Sequence, residues 1–295
     1  MDRIIRCITS NGGIMAAAID STYLVATAQQ IHETSVVATA AFGRLLTAAS
    51  VMGAMLKKAD ASLTLKINGG GPLGSIIAIA DSSGNCHGCI DHPEVELPLK
   101  PDGKIDVGSG VGRDGLLGVM RDFGEGNPYI GQVEIQTGEI ADDITYYYAT
   151  SEQIPTVCAL GVLIDKTDIK QILAGGLLIQ ALPGADESDI QQLEKNINEM
   201  DSVTTMLAKG MSIEDMCRIA LKGFEMEILD EVPVGYACTC SKERVEHAIA
   251  TLKPEEILSL ADEKGYAEAK CPYCNHVYKL TKQELKKISM SIKAK

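Results

Sequence analysis

Four cysteines near the C-terminal end of the sequence form two tight pairs. Cys238 and Cys240 lie in the stretch "YACTC", Cys271 and Cys274 lie in "CPYC", and thirty residues separate the pairs. Four thiolates suit Zn²⁺, which binds soft sulfur ligands tetrahedrally, and a closed set of four ligands leaves no open position for catalysis. The spacing therefore predicts a structural zinc site.

The first of these pairs has only one intervening residue, which forces a tighter local geometry than the ordinary two-residue spacing of "CPYC". If the metal leaves, the cysteines within each pair are close enough to oxidise to each other, and a ring closed over one residue is strained and readily reducible. The spacing leaves two interpretations open, a purely structural zinc ribbon and a reversible redox switch. His247 and His276 lie nearby, but four thiolates already complete the ligand shell.

The composition indicates a globular protein of two or three domains. The 295 residues are 45% hydrophobic with a mean hydropathy of +0.06, enough to bury a full core. No basic, apolar leader with a small-residue cleavage site opens the sequence, so we expect a cytoplasmic protein whose nine cysteines stay reduced. The longest apolar run, residues 35–56, has Arg44 at its middle, which favours a buried core helix over a membrane span.

Residues 1–183 carry mixed α and β signals. Strand-like runs such as "LTLKI", "SIIAIA", "PYIGQVEIQ" and "GGLLIQAL" alternate with turn stretches such as "NGGGPLG" and "EGNP". Hairpins combined with a few long helices predict an α+β domain.

Residues 184–231 differ in composition and predict an acidic, Met-rich helical linker. They hold twelve acidic residues against four basic ones and five of the eleven methionines. A helix is predicted to start at Ser212, with Asp215 as its capping partner. Methionine serves at adaptable binding surfaces, although its commoner role is to fill gaps in a core.

Residues 232–295 predict a small zinc-binding domain. "SKERVEHAIATL" and "KPEEILSLADEKG" are typical of short helices, "YAEAKC" and "HVYKL" of short strands, and Thr281 with Glu284 of a helix cap. A unit of about 60 residues has too little core to be stable alone, so the metal site would supply the missing stability.

Other motifs favour structural explanations. "CHGC" at Cys86 and Cys89, with His87 and His92 nearby, has no second pair within reach and is typical of a turn leading into a strand. The GxGxxG pattern at residues 110–115 is not followed by the long helix that a pyrophosphate site needs. Cys7, Cys158 and Cys217 lie in apolar surroundings and are interpreted as buried hydrophobes. No catalytic set emerges, and we do not expect an enzyme.

The sequence also suggests two alternative functions. A zinc ribbon with a lysine-bearing end is typical of some nucleic-acid-binding modules; the lysines are Lys279, Lys282, Lys286, Lys287, Lys293 and Lys295. The net charge of −13 and the few aromatic residues of the tail argue against this function. A thiol oxidoreductase using "CPYC" would need a βαβ context that the sequence lacks.

The cysteine pattern, together with "YACTCSKERVEHAI" and "CPYCNHVY", closely resembles the redox-switch domain of the 33 kDa heat-shock chaperone family (heat shock protein 33). The resemblance extends over nearly the whole chain, through "FGRLLTAAS", "NPYIGQVEIQTGEIADDI", "YYYATSEQIPT" and "ALPGADE". The combination of the CxC…CxxC signature with "SEQIPT" is specific to that family.

The resemblance implies an ATP-independent holdase chaperone that is inactive while Cys238, Cys240, Cys271 and Cys274 hold one zinc ion per chain. In the family, hypochlorous acid, or peroxide with heat, converts the four cysteines to two disulfides, by analogy Cys238 with Cys240 and Cys271 with Cys274. Zinc is then released, the tail unfolds, the linker loses order, and the protein dimerises and binds unfolding clients. Nucleic-acid and membrane partners are not expected.

A stripe of apolar residues in the linker is then expected to be packed in the reduced state and to bind clients in the oxidised state. The candidate client-binding residues are Ile190, Leu193, Ile197, Met200, Met206, Met211 and Met216.

Overall fold

The structure, a computed structural model, describes residues 1–165, 168, 171–263 and 265–293. It divides into two compact units, Met1–Ala237 and Cys238–Lys295. The strands of the first unit are β1 Arg3–Thr9, β2 Ile14–Asp20, β3 Ser62–Gly70, β4 Ile76–Asp81, β5 Cys86–Ile90, β6 Gly112–Asp122, β7 Tyr129–Glu134, β8 Thr156–Ile164, β9 Ile172–Ala181 and β10 Met226–Pro233. Its helices are α1 Thr22–His32, α2 Val36–Ala54, α3 Val107–Val111, α4 Ala141–Tyr147, α5 Glu187–Glu199, α6 Val203–Ala208 and α7 Ile213–Ala220, and a π-helical turn spans Tyr148–Glu152. The second unit contains α8 Lys242–Ile249, α9 Pro254–Ser259, β11 Tyr266–Lys270, β12 Val277–Thr281 and α10 Lys282–Lys293.

The first sheet of the first unit is antiparallel in the order β10-β1-β2-β9-β8, and its central strands β1, β2 and β9 are buried on both faces. Because side chains alternate along a strand, Ile4 and Ile5 of β1 point to opposite faces. Ile4 packs with the residues of α2, whereas Ile5 packs with those of α5, α6 and α7. The sheet therefore lies between two helical layers.

Helix α2 confirms the prediction of a buried core helix. Ser35 caps it by accepting a hydrogen bond from the Ala38 amide, and 89% of its most apolar 18-residue window is buried inside the protein. The guanidinium of Arg44 lies 2.6 Å from the carboxylate of Glu139, which accounts for a charge in the middle of an apolar helix. The long apolar sequence of α2 is therefore explained by its burial in the protein core.

The second sheet has the order β5-β4-β3-β6-β7 and packs against α2 from the other side. Its strands contain the predicted run "LTLKI" whole and most of "SIIAIA" and "PYIGQVEIQ". The GxGxxG pattern runs from the end of α3 directly into β6 at Gly112, so no long helix follows it, as predicted. A Cβ on Gly69 would lie 2.2 Å from the Gly112 carbonyl oxygen, so glycine there permits close approach of two backbones.

Residues 184–231 form helices α5, α6 and α7 within the first unit. Ser212 and Asp215 form the predicted capping box of α7. The helical prediction is wrong over residues 226–231, which belong to strand β10 (Met226–Pro233), and this strand pairs with β1 along its whole length. The open edge of β1 supplies a backbone partner there, and such long-range pairing overrides local helix signals.

The buried carboxyl of Asp2 gives a prediction about pH. It accepts hydrogen bonds from the amides of Tyr23 and Leu24 at the start of α1, and burial raises its pKa from 3.8 to about 6. The folded state therefore binds more protons than the unfolded state between these values, so this group destabilises the fold as pH rises from about 4 to about 6, by up to about 3 kcal/mol.

We expect Asp2→Asn to gain stability relative to the native protein over this pH interval, measured by urea unfolding at several pH values. Asp114→Asn, at an exposed aspartate on β6, is the control variant. A pH-independent difference for Asp2→Asn would show that Asp2 does not titrate in this range.

Candidate metal centre

Cys271 and Cys274 lie in the turn of the hairpin formed by β11 and β12. The Cys271 amide donates to the His276 carbonyl at 2.9 Å, and the Asn275 amide donates to the Cys271 carbonyl at 3.0 Å. Asn275 has φ 59°, a left-handed conformation that asparagine tolerates better than most residues. The turn therefore brings both sulfur atoms to one side of the hairpin end.

Cys238 and Cys240 lie directly before α8. Ser241 caps that helix by accepting a hydrogen bond from the Arg244 amide, and the Arg244 side chain donates to the Thr239 hydroxyl at 2.7 Å. The residue between the two cysteines is thus fixed by the helix that follows them. This contact stabilises the tight geometry that one intervening residue requires.

The four sulfur atoms all lie within 4.8 Å of one another. The Sγ atoms of Cys238 and Cys271 are 3.7 Å apart, and those of Cys240 and Cys274 are 3.4 Å apart. A tetrahedral zinc ion with metal–sulfur bonds of about 2.3 Å places its ligands about 3.8 Å apart. The donor set and its spacing therefore fit a four-coordinate metal ion, and zinc is the metal that this chemistry favours.

Hydrogen bonds reach three of the four sulfur atoms, while burial raises the pKa of the Cys238 and Cys274 thiols. The amides of Cys240 and His276 hydrogen-bond to the sulfurs of Cys238 and Cys274. The Tyr278 hydroxyl donates to Cys240 Sγ at 3.1 Å, and this bond lowers the pKa of the Cys240 thiol to about 7. The sequence interpretation missed Tyr278. The available signal for a contact with the cysteines was its position on β12, the strand that follows "CPYC".

Tyr278→Phe should weaken zinc binding by about tenfold, because groups that hydrogen-bond to metal ligands typically have effects of this size. Competition with a colorimetric chelator measures the affinity. Tyr23→Phe is a suitable control, since Tyr23 is 66% exposed and lies in the first unit. Equal zinc affinities for Tyr278→Phe and the native protein would assign the hydroxyl no role in metal binding.

The remainder of the second unit has a small hydrophobic core. Its buried apolar side chains, within the described residues, are Ile257, Ala267, Leu280, Leu285 and Ile288, and Cys271 is buried as well. Such a core supplies little stability to a chain of this length. A metal bound by four residues from two distant segments would supply a large part of the folding free energy.

The other residues considered as metal ligands or for nucleic-acid binding do not belong to this cluster. Among the described residues, His247 and His276 do not join the group of close ligand atoms, and neither do Cys86 and Cys89, which lie on β5. Lys279 pairs with Glu268 at 3.0 Å. Lys295 and the side chain of Lys293 lie outside the described residues. The "CPYC" turn joins two antiparallel strands, which is not the βαβ context of a thiol oxidoreductase.

The candidate client-binding residues pack against the face of the first sheet that carries Ile5. Leu193, Met206 and Met216 are buried. Ile197, Met200 and Met211 are partly buried against the same cluster, and Ile190 is half-buried. The stripe is therefore packed in this state, and it shares its cluster with Cys7 and Cys217.

Comparison with known proteins gives the family of the chain. Residues 2–281 match the sequence profile described as Hsp33 protein. The chain belongs to the Hsp33 family. The match covers nearly all of the first unit and most of the second, including all four clustered cysteines.

Individual relatives of this Hsp33 chain agree over nearly their whole lengths. The 33 kDa chaperonin of Acetivibrio thermocellus is 44% identical over 96% of this chain and 95% of its own length, and that of Lachnoclostridium phytofermentans is 45% identical over 97% and 98%. The crystal structure of the 33 kDa chaperonin (heat shock protein 33 homolog) of Thermotoga maritima has a TM-score of 0.89, with 29% identity and 99% of each chain covered. Membership of the Hsp33 family supports a chaperone function.

Proposed function

We propose that this Hsp33 chain is a redox-regulated, ATP-independent holdase that is inactive while reduced and metal-bound, and that protects unfolding proteins from aggregation under oxidative stress. One observation carries the proposal: four cysteine sulfurs lie within 4.8 Å of one another in a member of a chaperone family. We infer a cytoplasmic location because thiols in such a cluster persist in a reducing compartment.

Zinc, when bound, would cross-link the segment around Cys238 to the β11–β12 hairpin. Its binding contributes on the order of 10 kcal/mol to the folding of small zinc domains. Since the second unit has a small hydrophobic core, loss of the four thiolates would leave it below the threshold for stable folding.

Oxidation removes the ligands in pairs. Two thiols and one hypochlorous acid molecule give one disulfide, one chloride, one proton and one water, so two oxidant molecules consume all four ligands. By analogy with the family, the disulfides join Cys238 with Cys240 and Cys271 with Cys274. All four sulfurs are close enough for this pairing after small movements, and a disulfide closed over one intervening residue is readily reduced again.

Unfolding of the second unit would then release residues 184–231. These residues connect to Cys238 through β10, and their excess of eight negative charges favours an open, extended segment once packing is lost. The stripe that includes Leu193, Met206 and Met216 would become available to unfolded clients. We propose that the oxidised protein forms a homodimer and binds these clients without ATP.

The test is a paired titration of the reduced, zinc-loaded protein with hypochlorous acid. Released zinc is read with a chelator, and suppression of aggregation of a chemically unfolded client is read on the same samples. We expect about one zinc per chain to leave as protection appears, and thiol reductant with zinc to reverse both. Zinc release without protection would mean that the site is structural, and steeply salt-dependent RNA binding by the reduced protein would then support the nucleic-acid alternative.

A further inference from the structure

The residues just before the first metal-binding cysteine lie along the edge of the second sheet. We call residues 234–237 the strap. The Cys86 amide donates to the Gly235 carbonyl at 3.0 Å, and the Ala237 amide donates to the Cys86 carbonyl at 2.9 Å. Tyr236 thereby pairs with Cys86 in a parallel bridge, whereas the neighbouring strands of that sheet pair antiparallel. The strap thus pairs with the edge of β5 that faces away from β4.

Two residues after Cys86 on β5, the side chain of Tyr236 takes the place of a backbone partner for Gly88. Its hydroxyl donates to the Gly88 carbonyl at 3.1 Å and accepts from the Gly88 amide at 3.3 Å. His32 Nε2 lies 3.1 Å from the same oxygen, and the His32 ring packs edge-on against Phe42 at 5.3 Å. A phenol at this position satisfies both backbone groups of Gly88, so the strap needs backbone pairing at only one residue of β5.

Packing holds one end of the strap, and the other end continues directly into Cys238. Val234 is buried, its amide donates to the Asp2 carbonyl at 3.1 Å, and its Cγ1 would lie 2.9 Å from a Cβ on Gly84. At the other end the next residue is Cys238, a predicted metal ligand. Unfolding of the second unit would remove that end of the anchor.

We propose that the edge of β5 is a strand-addition site for an extended client segment with an aromatic side chain, and that the strap occupies it in the reduced state. A strand edge offers unpaired amides and carbonyls that any extended chain can pair with, whatever its sequence. The strap itself shows the mode of binding: parallel to β5, with a phenol beside Gly88 and His32. An unfolded client supplies longer backbone pairing than the strap, so it competes once the anchor is lost. The inference rests on the proposed function.

Hydrogen exchange of the β5 amides tests the site in the full-length protein. In the reduced, zinc-loaded protein the amides of Cys86 and Gly88 should be protected, because the strap bonds both. Protection should be lost on oxidation and should return when reduced, carboxymethylated α-lactalbumin, a permanently unfolded client, is added. Protection that persists through oxidation, or that does not return with the client, would overturn the inference.

Strap variants test it without oxidation. Tyr236→Ala removes the bonds to Gly88, so the reduced, zinc-loaded variant should bind a fluorescein-labelled VPVGYA peptide about tenfold more tightly than the reduced native protein, as measured by anisotropy. A VPVGAA peptide should bind more weakly than VPVGYA. Tyr146→Ala is the matched control, since Tyr146 lies on α4 and is exposed. Equal binding by Tyr236→Ala and the native protein would contradict a site beneath the strap.

Failure of this inference differs from failure of the proposed function. If the oxidised protein suppresses aggregation while β5 stays unprotected by the client, the holdase function stands and the edge site is wrong. If the oxidised protein suppresses no aggregation but reduced Tyr236→Ala binds the tyrosine peptide, the edge site stands and the redox-activated function is wrong.

Discussion

Replacing one metal-binding cysteine should unfold the second unit while leaving strands β1, β2 and β9 of the first unit folded. Cys271→Ser removes the most buried of the four sulfurs, and Cys271 also closes the β11–β12 turn through its backbone. With three thiolates left, zinc should fall from about one per chain to below about 0.1 after a chelator wash, because metal binding and folding are coupled in small zinc domains. Amide exchange across residues 238–293 should then become fast, while β1, β2 and β9 remain protected.

Cys89→Ser is the matched control for this variant, since Cys89 is half-buried on β5 and outside the metal cluster. It should retain both zinc and the slow exchange of the second unit. If Cys271→Ser kept slow exchange at β11 and β12, the small core of Ile257, Leu280 and their neighbours would be sufficient for folding, and the metal would not control the unit.

The metal centre could be predicted from the sequence because its signal is local. Each pair of cysteines lies within a few residues, and a closed set of sulfur ligands restricts both geometry and metal. Capping signals were equally local: the prediction at Ser212 and Asp215 is confirmed, and so is that at Thr281 and Glu284. In both caps, side chain and backbone satisfy one another within one helical turn.

Features that depend on distant strands could not be predicted in the same way. The pairing of β10 with β1 joins residues more than 200 positions apart, and nothing in "MEILDEVP" specifies that partner. The strap could not be predicted for a similar reason, since the sequence places Tyr236 beside Cys238 but specifies no partner for it. Its partners, Gly88 and His32, belong to other elements of the fold.

The packing of the linker stripe leads to the second large prediction. Met216 is fully buried between α7 and the first sheet, in the same cluster as Cys7 and Cys217. An aspartate there leaves an unpaired charge in an apolar site, which costs about 3–5 kcal/mol. Met216→Asp should therefore release α7 from the sheet while the metal centre stays intact. The reduced variant is expected to suppress client aggregation without any oxidant.

Three measurements on the same sample separate the possible results for Met216→Asp. Zinc should remain at about one per chain, since the substitution lies outside the metal-binding unit. Alkylation of Cys217 should become fast, because its thiol is buried only while α7 is packed. Met290→Asp, at a methionine that is 68% exposed, should change neither alkylation nor protection. Fast alkylation without client protection would mean that release of the stripe does not activate the protein, and the client-binding surface would then lie elsewhere in the first unit.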